Sequence, residues 1–171
     1  MSIVLIGYRG CGKTSIGRKL ADRLWQPFVD TDDLVTKKAG KSIKDIFEQD
    51  GEERFRQLEA EVIKEAAKLQ EHVIALGGGG ATRQENVKAL RDAGHKLIYL
   101  RCEPAELFRR IQMDPNTGTS RPALTKQGGG IEEIRAVMAE REPAYRAAAQ
   151  AELDVTHLSV DEALVYVTRL A

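Results

Sequence analysis

Short apolar runs alternate with longer amphipathic stretches along most of the chain. Runs of three to five mainly apolar residues predict strands at 3–6, 28–30, 72–76, 97–100 and 153–155. Between them, apolar side chains recur at steps of three and four residues, as at Phe55, Leu58 and Val62, and this spacing predicts helices. The predicted helices cover 13–24, a segment that the Ser42 cap begins and Gly51 ends, a long stretch from about 55 to 69, 84–93, 104–110, 131–149 and a last segment capped by Ser159.

This order of elements predicts the fold class. Strands that alternate with helices form right-handed βαβ units, which build a parallel sheet covered on both faces. We therefore expect an α/β protein of three layers, with a five-stranded parallel sheet between helices. The segment from Met113 to Gly130 interrupts the rhythm, because it is rich in Gly, Pro, Asn, Thr and Ser and shows little hydrophobic periodicity. Such a segment in a compact domain is either a mobile functional loop or disorder.

Length and charge narrow the classes of function. A chain of 171 residues is expected to form one domain. Lys and Arg number 26, as do Asp and Glu, so the formal net charge is zero and favours neither nucleic acid nor an acidic membrane as a partner. Two cysteines are too few for a disulfide framework, and no run is long enough to span a membrane. We expect a cytoplasmic protein with small-molecule partners.

One motif carries strong chemical information. Residues 7–14 read Gly-Tyr-Arg-Gly-Cys-Gly-Lys-Thr, which fits the phosphate-binding pattern G-x-x-x-x-G-K-[ST], with an apolar strand before it and a helix after it. Its backbone N–H groups and the helix N-terminus would surround nucleotide phosphates. Lys13 would reach the β- and γ-phosphates, and the Thr14 hydroxyl would ligate Mg²⁺. The predicted ATP-binding residues of this loop are Gly10, Cys11, Gly12, Lys13, Thr14 and Ser15.

Cys11 permits a second interpretation within the loop. A helix start and the neighbouring Lys13 can lower a thiol pKa and produce a redox-sensitive cysteine. The simpler interpretation is a small side chain that the loop tolerates. A phosphate-binding loop predicts nucleotide binding and leaves the phosphate acceptor open.

Further segments, taken with this motif, resemble the shikimate kinase family over nearly the whole chain. They are Asp30-Thr31-Asp32, residues 40–47 with 51–52 and 55–59, Leu76-Gly77-Gly78-Gly79, Arg121-Pro122, and Arg141 with Tyr145-Arg146. The resemblance implies a P-loop NTPase fold that moves the γ-phosphate of ATP onto the 3-hydroxyl of shikimate, with Mg²⁺ as cofactor. It also implies a monomer, an acceptor-binding region at about 32–60 and a lid at about 113–130.

The resemblance assigns roles to the two acids after the second strand. Alternate residues of a strand share one side, so Asp30 and Asp32 would point together into the crevice where open α/β sheets bind ligands. Asp30 would help to hold Mg²⁺ through water. Asp32 would bind the acceptor's hydroxyls and take a proton during transfer. The alternative is a solvated acidic turn, or a helix cap supplied by Asp32.

The resemblance likewise implies a carboxylate-binding set. Arg56 and Glu59 are three residues apart on the long helix and can pair, which leaves the guanidinium shaped to grip a carboxylate. Arg141 would be the second arginine of this clamp. Glycines 77–79 would bring bare backbone to the acceptor, and Gly78 would donate its N–H to the substrate carboxylate. The alternative is a turn that requires positive φ angles, and the sequence offers no explanation for the fourth glycine, Gly80. The predicted substrate-binding residues are Asp32, Arg56, Gly77, Gly78, Gly79 and Arg141.

Two arginines complete the implied ATP site. Arg121 would be the lid arginine that meets the γ-phosphate, which makes it catalytic together with Lys13 and Asp32. Arg110 would stack on adenine, with Arg109 as the neighbouring alternative. The chain departs from the family pattern in a longer segment before Arg121, and His157 stands where a basic residue often lies near adenine.

Other functions remain open from sequence alone. A gluconate kinase or a nucleoside monophosphate kinase would share the fold, the phosphate-binding loop and the lid. A non-catalytic nucleotide-binding module is a further alternative, although it would have no need of an acid that binds an acceptor.

Overall fold

Five parallel strands form the centre of the protein in a computed structural model that describes residues 1–115 and 130–171. The strands are β1 Ile3–Ile6, β2 Phe28–Asp30, β3 Val73–Ala75, β4 Lys96–Arg101 and β5 Ala151–Asp154. The helices of the described ranges are α1 Lys13–Leu24, α2 Thr31–Ala39, α3 Ile43–Asp50, α4 Glu52–Ala66, α5 Gln84–Asp92, α6 Pro104–Met113, α7 Ile131–Ala148 and α8 Val160–Leu170, with a short 3₁₀ turn at Gly80–Thr82.

The strand order places β1 in the middle of the sheet. The order is β2-β3-β1-β4-β5, and Val4 of β1 lies opposite Ile74 of β3 on one side and Leu97 of β4 on the other. All four residues of β1 are buried because helices cover both faces. The chain places β2 and β3 on one side of β1 and then crosses to place β4 and β5 on the other side. The carboxyl end of β1 is therefore next to the switch point at which an open α/β sheet binds ligands.

The predicted fold class is confirmed. The observed bounds of the elements differ from the predicted ones mainly at the edge of the sheet. The sequence predicted the last strand at 153–155, whereas β5 runs from Ala151 to Asp154. β5 is an edge strand whose residues alternate between half-buried and exposed, so it lacks the continuous apolar run that marks β1 and β4. A half-buried strand gives a weaker sequence signal than a central one.

Helix α2 was missing from the sequence-based prediction. It begins directly after β2, with the Asp30 side chain as its N-cap accepting from the Asp32 backbone N–H at 3.0 Å, and it ends at Gly40 in the left-handed conformation. The prediction that Asp30 and Asp32 are alternate positions of one strand is therefore wrong, as is the alternative that Asp32 caps the helix. Asp32 lies in the first turn of α2.

Helices α2, α3 and α4 pack around an apolar cluster of their own. Its buried members are Val35, Ile43, Ile46, Phe55, Leu58 and Val62. Ser42 caps α3 by accepting from the Asp45 N–H at 3.1 Å, as its sequence spacing predicted. This unit lies beside the carboxyl ends of β2 and β3 and carries side chains from α2 and α4 toward the crevice.

His95 ties the start of the chain to the end of α4. Its Nδ1 accepts from the Ser2 backbone N–H at 3.2 Å, so its Nε2–H donates to the carbonyl oxygen of Ala67 at 2.9 Å. The ring is 2% exposed, and this burial lowers the pKa of His95 from its ordinary value. Protonation would also remove the lone pair that accepts from Ser2.

We expect acid to destabilise the protein through His95. The pKa of His95 in the folded protein lies below the unfolded value of about 6.5. The contribution of neutral His95 to the unfolding free energy is therefore fully present above pH 6.5 and is lost as the pH falls through the folded pKa. Urea unfolding at pH 7.5 and 5.5 should therefore show a lower unfolding free energy at pH 5.5, and His95→Gln should flatten that change. His157→Gln at an exposed position is the control. Equal pH dependence in all three proteins would contradict the assignment.

The predicted lid lies largely outside the described residues, which end at Pro115 and resume at Gly130. Arg121 is among the residues outside. Within the described ranges, every helix is too short or too polar to cross a bilayer.

Candidate active site

The loop between β1 and α1 turns sharply at Gly12. Gly12 is the N-cap residue of α1 with a φ of 100°, a conformation that favours glycine, and its carbonyl accepts from the Ile16 N–H at 2.8 Å. The helix therefore begins at Lys13, and its first N–H groups face the cavity above the loop. This arrangement supplies the backbone donors and the positive helix end that bind phosphate.

The Lys13 side chain folds back over the loop. Its ammonium donates to the carbonyl oxygens of Gly7 at 2.7 Å and Tyr8 at 3.0 Å. Its remaining polar contact is with the Cys11 sulfur at 3.9 Å, and sulfur is a weak acceptor. A phosphate oxygen is a stronger acceptor, so the third donor of the ammonium can turn to a nucleotide while the two carbonyl bonds hold it in place.

Thr14 and Asp30 form a pair of hard oxygen ligands. The Thr14 hydroxyl donates to Asp30 Oδ2 at 2.8 Å, which leaves the hydroxyl lone pairs available to a cation. Both side chains line the same cavity as the phosphate-binding loop. Mg²⁺ prefers such oxygens and is usually held by one or two protein ligands together with substrate phosphates. Thr14 and Asp30 supply two such oxygens next to the phosphate-binding loop, so the pair fits this shared mode.

The cavity above the loop is large enough for a nucleotide. Its volume is about 650 Å³, within the range of about 300–1,000 Å³ typical of ligand sites. Lys13, Thr14 and Ser15 line it, as does the segment after β5. The predicted residues that line it are Gly10, Gly12, Lys13, Thr14, Ser15, Asp30, Asp32 and Arg110.

Arg110 connects the phosphate-binding loop with the segment after β5. Its guanidinium donates to the carbonyl oxygen of Val155 at 2.8 Å, approaches that of Cys11 at 3.5 Å and pairs with Glu106 at 2.7 Å. Arg109 also lines the cavity and binds Glu106, but its side chain is more exposed. Hydrogen bonds from Arg109 and Arg110 hold the pKa of Glu106 at about 2, so it stays ionised and keeps Arg110 oriented.

A smaller cavity adjoins the first one and is lined by the acceptor region. It contains three guanidinium groups and two carboxylates, flanked by apolar side chains from α3 and α4. Its lining residues are Arg9, Asp32, Ile43, Phe47, Phe55, Arg56, Glu59, Gly78, Gly79 and Arg141. Five of the six predicted substrate-binding residues thus line one cavity, although α4 and α7 lie far apart in the sequence.

Glu59 fixes the position of Arg56. The pair spans 2.8 Å between Arg56 Nη1 and Glu59 Oε2, and the Glu59 side chain is 1% exposed. Burial raises the pKa of Glu59, the nearby Asp32 carboxylate adds to the rise, and Arg56 and Arg141 oppose it. Within the described residues, Glu59 Oε1 has no hydrogen-bond partner, so this oxygen remains available as an acceptor beside the cavity.

The glycines after β3 lie against these charged side chains. A Cβ on Gly79 would stand 2.1 Å from Arg56 Nη1, and a Cβ on Gly78 would stand 3.6 Å from Arg141 Nη1. Both guanidinium groups therefore approach the same two-residue stretch of bare backbone. Tyr145 of α7 donates its hydroxyl to the Gly78 carbonyl at 2.5 Å, which holds the stretch in place.

Two predicted residues occupy positions that differ from the prediction. Gly77 does not line either cavity: its N–H donates to Thr31 Oγ1 at 2.9 Å, and a Cβ there would stand 2.6 Å from Asp32 Oδ1. Its absent side chain leaves room for Asp32. The Cys11 side chain is fully buried under the loop and reaches neither cavity, which favours the interpretation of a tolerated small residue.

Several residues of the site were not predicted from the sequence. The apolar wall of the smaller cavity comes from Ile43, Phe47 and Phe55, whose helical spacing marks them only as core. Arg9 occupies a variable position of the phosphate-binding pattern, so the motif gave no signal for it. Glu59 was identified as a partner of Arg56 but not as part of the cavity.

Fold and site together define a class of protein, a P-loop kinase that acts on a small molecule. The family model described as shikimate kinase matches residues 9–170. The chain belongs to the shikimate kinase family, and the resemblance noted from its motifs is confirmed.

Individual relatives agree with this assignment. The chain is 40% identical over 169 residues to the shikimate kinase of Rhodopirellula baltica, covering 99% of this chain and 89% of the relative. It is 43% identical over 162 residues to that of Symbiobacterium thermophilum, covering 95% and 91%. The shikimate kinase of Acinetobacter baumannii, solved in complex with shikimate, superposes with a TM-score of 0.89 at 30% identity, covering 99% of this chain and 91% of that one.

Proposed function

We propose that this protein transfers the γ-phosphate of ATP to the 3-hydroxyl of shikimate, giving ADP and shikimate 3-phosphate. The observation that carries the proposal is the convergence of Arg56 and Arg141 on the Gly78–Gly79 backbone, next to the cavity of a phosphate-binding loop. Two guanidinium groups and backbone N–H groups suit a carboxylate. Shikimate offers one carboxylate, several hydroxyls and a small ring.

The charges of the acceptor cavity support an anionic acceptor. The cavity has three guanidinium groups and two carboxylates, and one of those guanidinium groups, that of Arg9, also lines the nucleotide cavity. The Asp32 and Glu59 carboxylates provide acceptors for hydroxyl groups, and Phe47 and Phe55 provide an apolar surface for a ring. The same set would suit gluconate less well, because an open polyol chain has no apolar ring face to bury against the two phenylalanines.

In the proposed transfer, Asp32 accepts a hydrogen bond from the acceptor hydroxyl and takes its proton. An oxygen–phosphorus bond forms between that hydroxyl and the γ-phosphorus, and the bond from the γ-phosphorus to the bridging oxygen of ADP breaks. Lys13 and the first N–H groups of α1 bind the phosphate oxygens and keep the nucleotide in line. We retain Arg121 as the proposed lid arginine and Arg110 as the proposed adenine-side arginine.

Mg²⁺ belongs to the proposal as the cofactor that Thr14 and Asp30 would hold, with Asp30 acting through water. When bound, the ion would supply positive charge that offsets the negative charge developing on the phosphate oxygens. The oxygen pair described above is the observation that supports it.

We expect shikimate to stimulate ADP release from MgATP, and gluconate and AMP to leave it at the level seen without acceptor. A coupled ADP-release assay with each acceptor at matched concentration measures this, and chelation of divalent ions should abolish the stimulated rate. Stimulation by gluconate or AMP would favour another small-molecule kinase. ADP binding without stimulation by any of the three would favour the non-catalytic module and contradict the proposal.

We also propose that the protein works as a cytoplasmic monomer and that residues 1–171 form one kinase domain. The region 32–60 supplies six lining residues of the acceptor cavity: Asp32, Ile43, Phe47, Phe55, Arg56 and Glu59. Light scattering during size-exclusion chromatography measures the mass in solution, for which one chain corresponds to 18.9 kDa.

A further inference from the structure

Arg9 lies at the junction of the nucleotide and acceptor cavities. The two lining sets share two residues, Arg9 and Asp32. In the proposed function, the new bond joins the γ-phosphorus to an acceptor oxygen, so it must form where the two ligands meet. The shared residues are therefore the pair nearest to the reacting atoms by position, and they carry opposite charges.

We infer that Arg9 is a catalytic residue that binds the phosphoryl group during transfer. This inference rests on the proposed function. The negative charge of the transferred group spreads over its three equatorial oxygens in the transition state. A guanidinium offers five N–H donors in a rigid fork, which matches two such oxygens. Asp32 takes the acceptor's proton on the other side of the same junction.

The backbone of Arg9 is held in place by both neighbours. Tyr8 before it is 1% exposed, and the Tyr8 carbonyl accepts from the Cys11 N–H at 3.3 Å and from the Lys13 ammonium at 3.0 Å. Gly10 after it has a φ of 87°, and a Cβ there would stand 2.9 Å from the Ile111 side chain. The Arg9 N atom in turn lies 3.6 Å from the position of a Cβ on Gly78.

This anchoring fixes the point from which the Arg9 side chain extends beside both cavities. A donor whose backbone is already fixed needs less reorganisation to meet developing charge than one whose backbone must also move. Arg9 is distinct from Arg56 and Arg141, which line the acceptor cavity but not the nucleotide cavity. Its contribution should therefore appear in the rate of transfer and not in the affinity for the acceptor carboxylate.

The test compares Arg9→Met and Arg9→Lys with the wild-type protein and with Arg135→Met. Arg135 lies in an exposed pair on α7 and lines neither cavity, so its replacement removes the same charge away from the site. We expect Arg9→Met to lower kcat about 100-fold while the KM values for shikimate and ATP change less than threefold. Arg9→Lys should recover part of the lost rate, and Arg135→Met should leave kcat unchanged.

A binding measurement separates catalysis from structure. Aluminium fluoride with MgADP and shikimate mimics the transferring phosphoryl group, and its affinity should fall in Arg9→Met by about the same factor as kcat. Affinity for MgADP alone should stay within threefold of the wild-type value. A kcat within threefold of wild type, or a loss that appears only in the KM for shikimate, would overturn the inference while the proposed function stands. Wild-type protein without shikimate-stimulated turnover would overturn both.

Discussion

Replacing Lys13 with alanine should lower kcat by about 10³-fold, the order expected for removing a charged donor from the transferring phosphate. The ammonium is held by the carbonyl oxygens of Gly7 and Tyr8, and its third donor faces only a weak sulfur acceptor. It is therefore oriented before the nucleotide arrives. The KM for ATP should rise less than kcat falls, because the loop N–H groups and the positive end of α1 continue to bind phosphate.

Steady-state kinetics with saturating shikimate measure this effect, and Lys19→Ala is the matched control. Lys19 lies on the same helix, with its side chain about half exposed in a pair with Asp161, so its loss removes the same charge away from the cavity. Circular dichroism must show that Lys13→Ala keeps its helix content, since the two carbonyl bonds also support the loop. A folded Lys13→Ala protein with kcat within tenfold of wild type would contradict the assigned role.

The sequence was sufficient to predict the fold and the phosphate-binding loop, because both depend on local patterns. Buried strands such as β1 are continuous apolar runs, and the strand–glycine loop–helix arrangement is specified within residues 3–24. Helix α2 was missed because its apolar face is short and its start follows β2 with no intervening turn. The signals of its ends, Asp30 as the cap and Gly40 as the stop, are each common outside helices.

The prediction of the residues in the acceptor cavity depended on the family resemblance and not on their spacing in the sequence. Sequence spacing predicts the Arg56–Glu59 pair, since both lie on α4, but no local rule brings Arg141 of α7 to the same glycines. That contact is produced by the crossing of helices over the sheet. The same limit explains why Arg9 was not predicted as a site residue, because only the folded chain shows that it lines both cavities.

The four glycines after β3 show how one sequence feature can have several physical causes. The sequence suggested positive backbone angles as the alternative to ligand binding, yet Gly77, Gly78, Gly79 and Gly80 all lack positive φ values. The space around them explains three of the four. Gly77 makes room for Asp32, and Gly79 makes room for Arg56. Gly80, which had no explanation from sequence, is buried where a Cβ would stand 3.0 Å from the side chains of Ile63 and Leu76.

Replacing Arg56 with methionine should raise the KM for shikimate by about 30- to 1,000-fold, which corresponds to about 2–4 kcal/mol of lost binding to a desolvated carboxylate. Arg141→Met should act in the same direction, because the two guanidinium groups approach the same backbone stretch. The loss at Arg56 has a second consequence. Glu59 is 1% exposed and its pKa is already raised by burial, so removal of its partner raises that pKa further and destabilises the fold.

The double variant Arg56→Met/Glu59→Gln separates these two consequences. A neutral glutamine removes the uncompensated buried charge, so the thermal midpoint should recover relative to Arg56→Met, whereas the KM for shikimate should stay high because the guanidinium is still missing. Arg54→Met, on the exposed side of the same helix, is the control and should leave KM near the wild-type value. Recovery of KM together with stability would mean that Arg56 only neutralises Glu59. A wild-type KM in both Arg56→Met and Arg141→Met would exclude the clamp altogether.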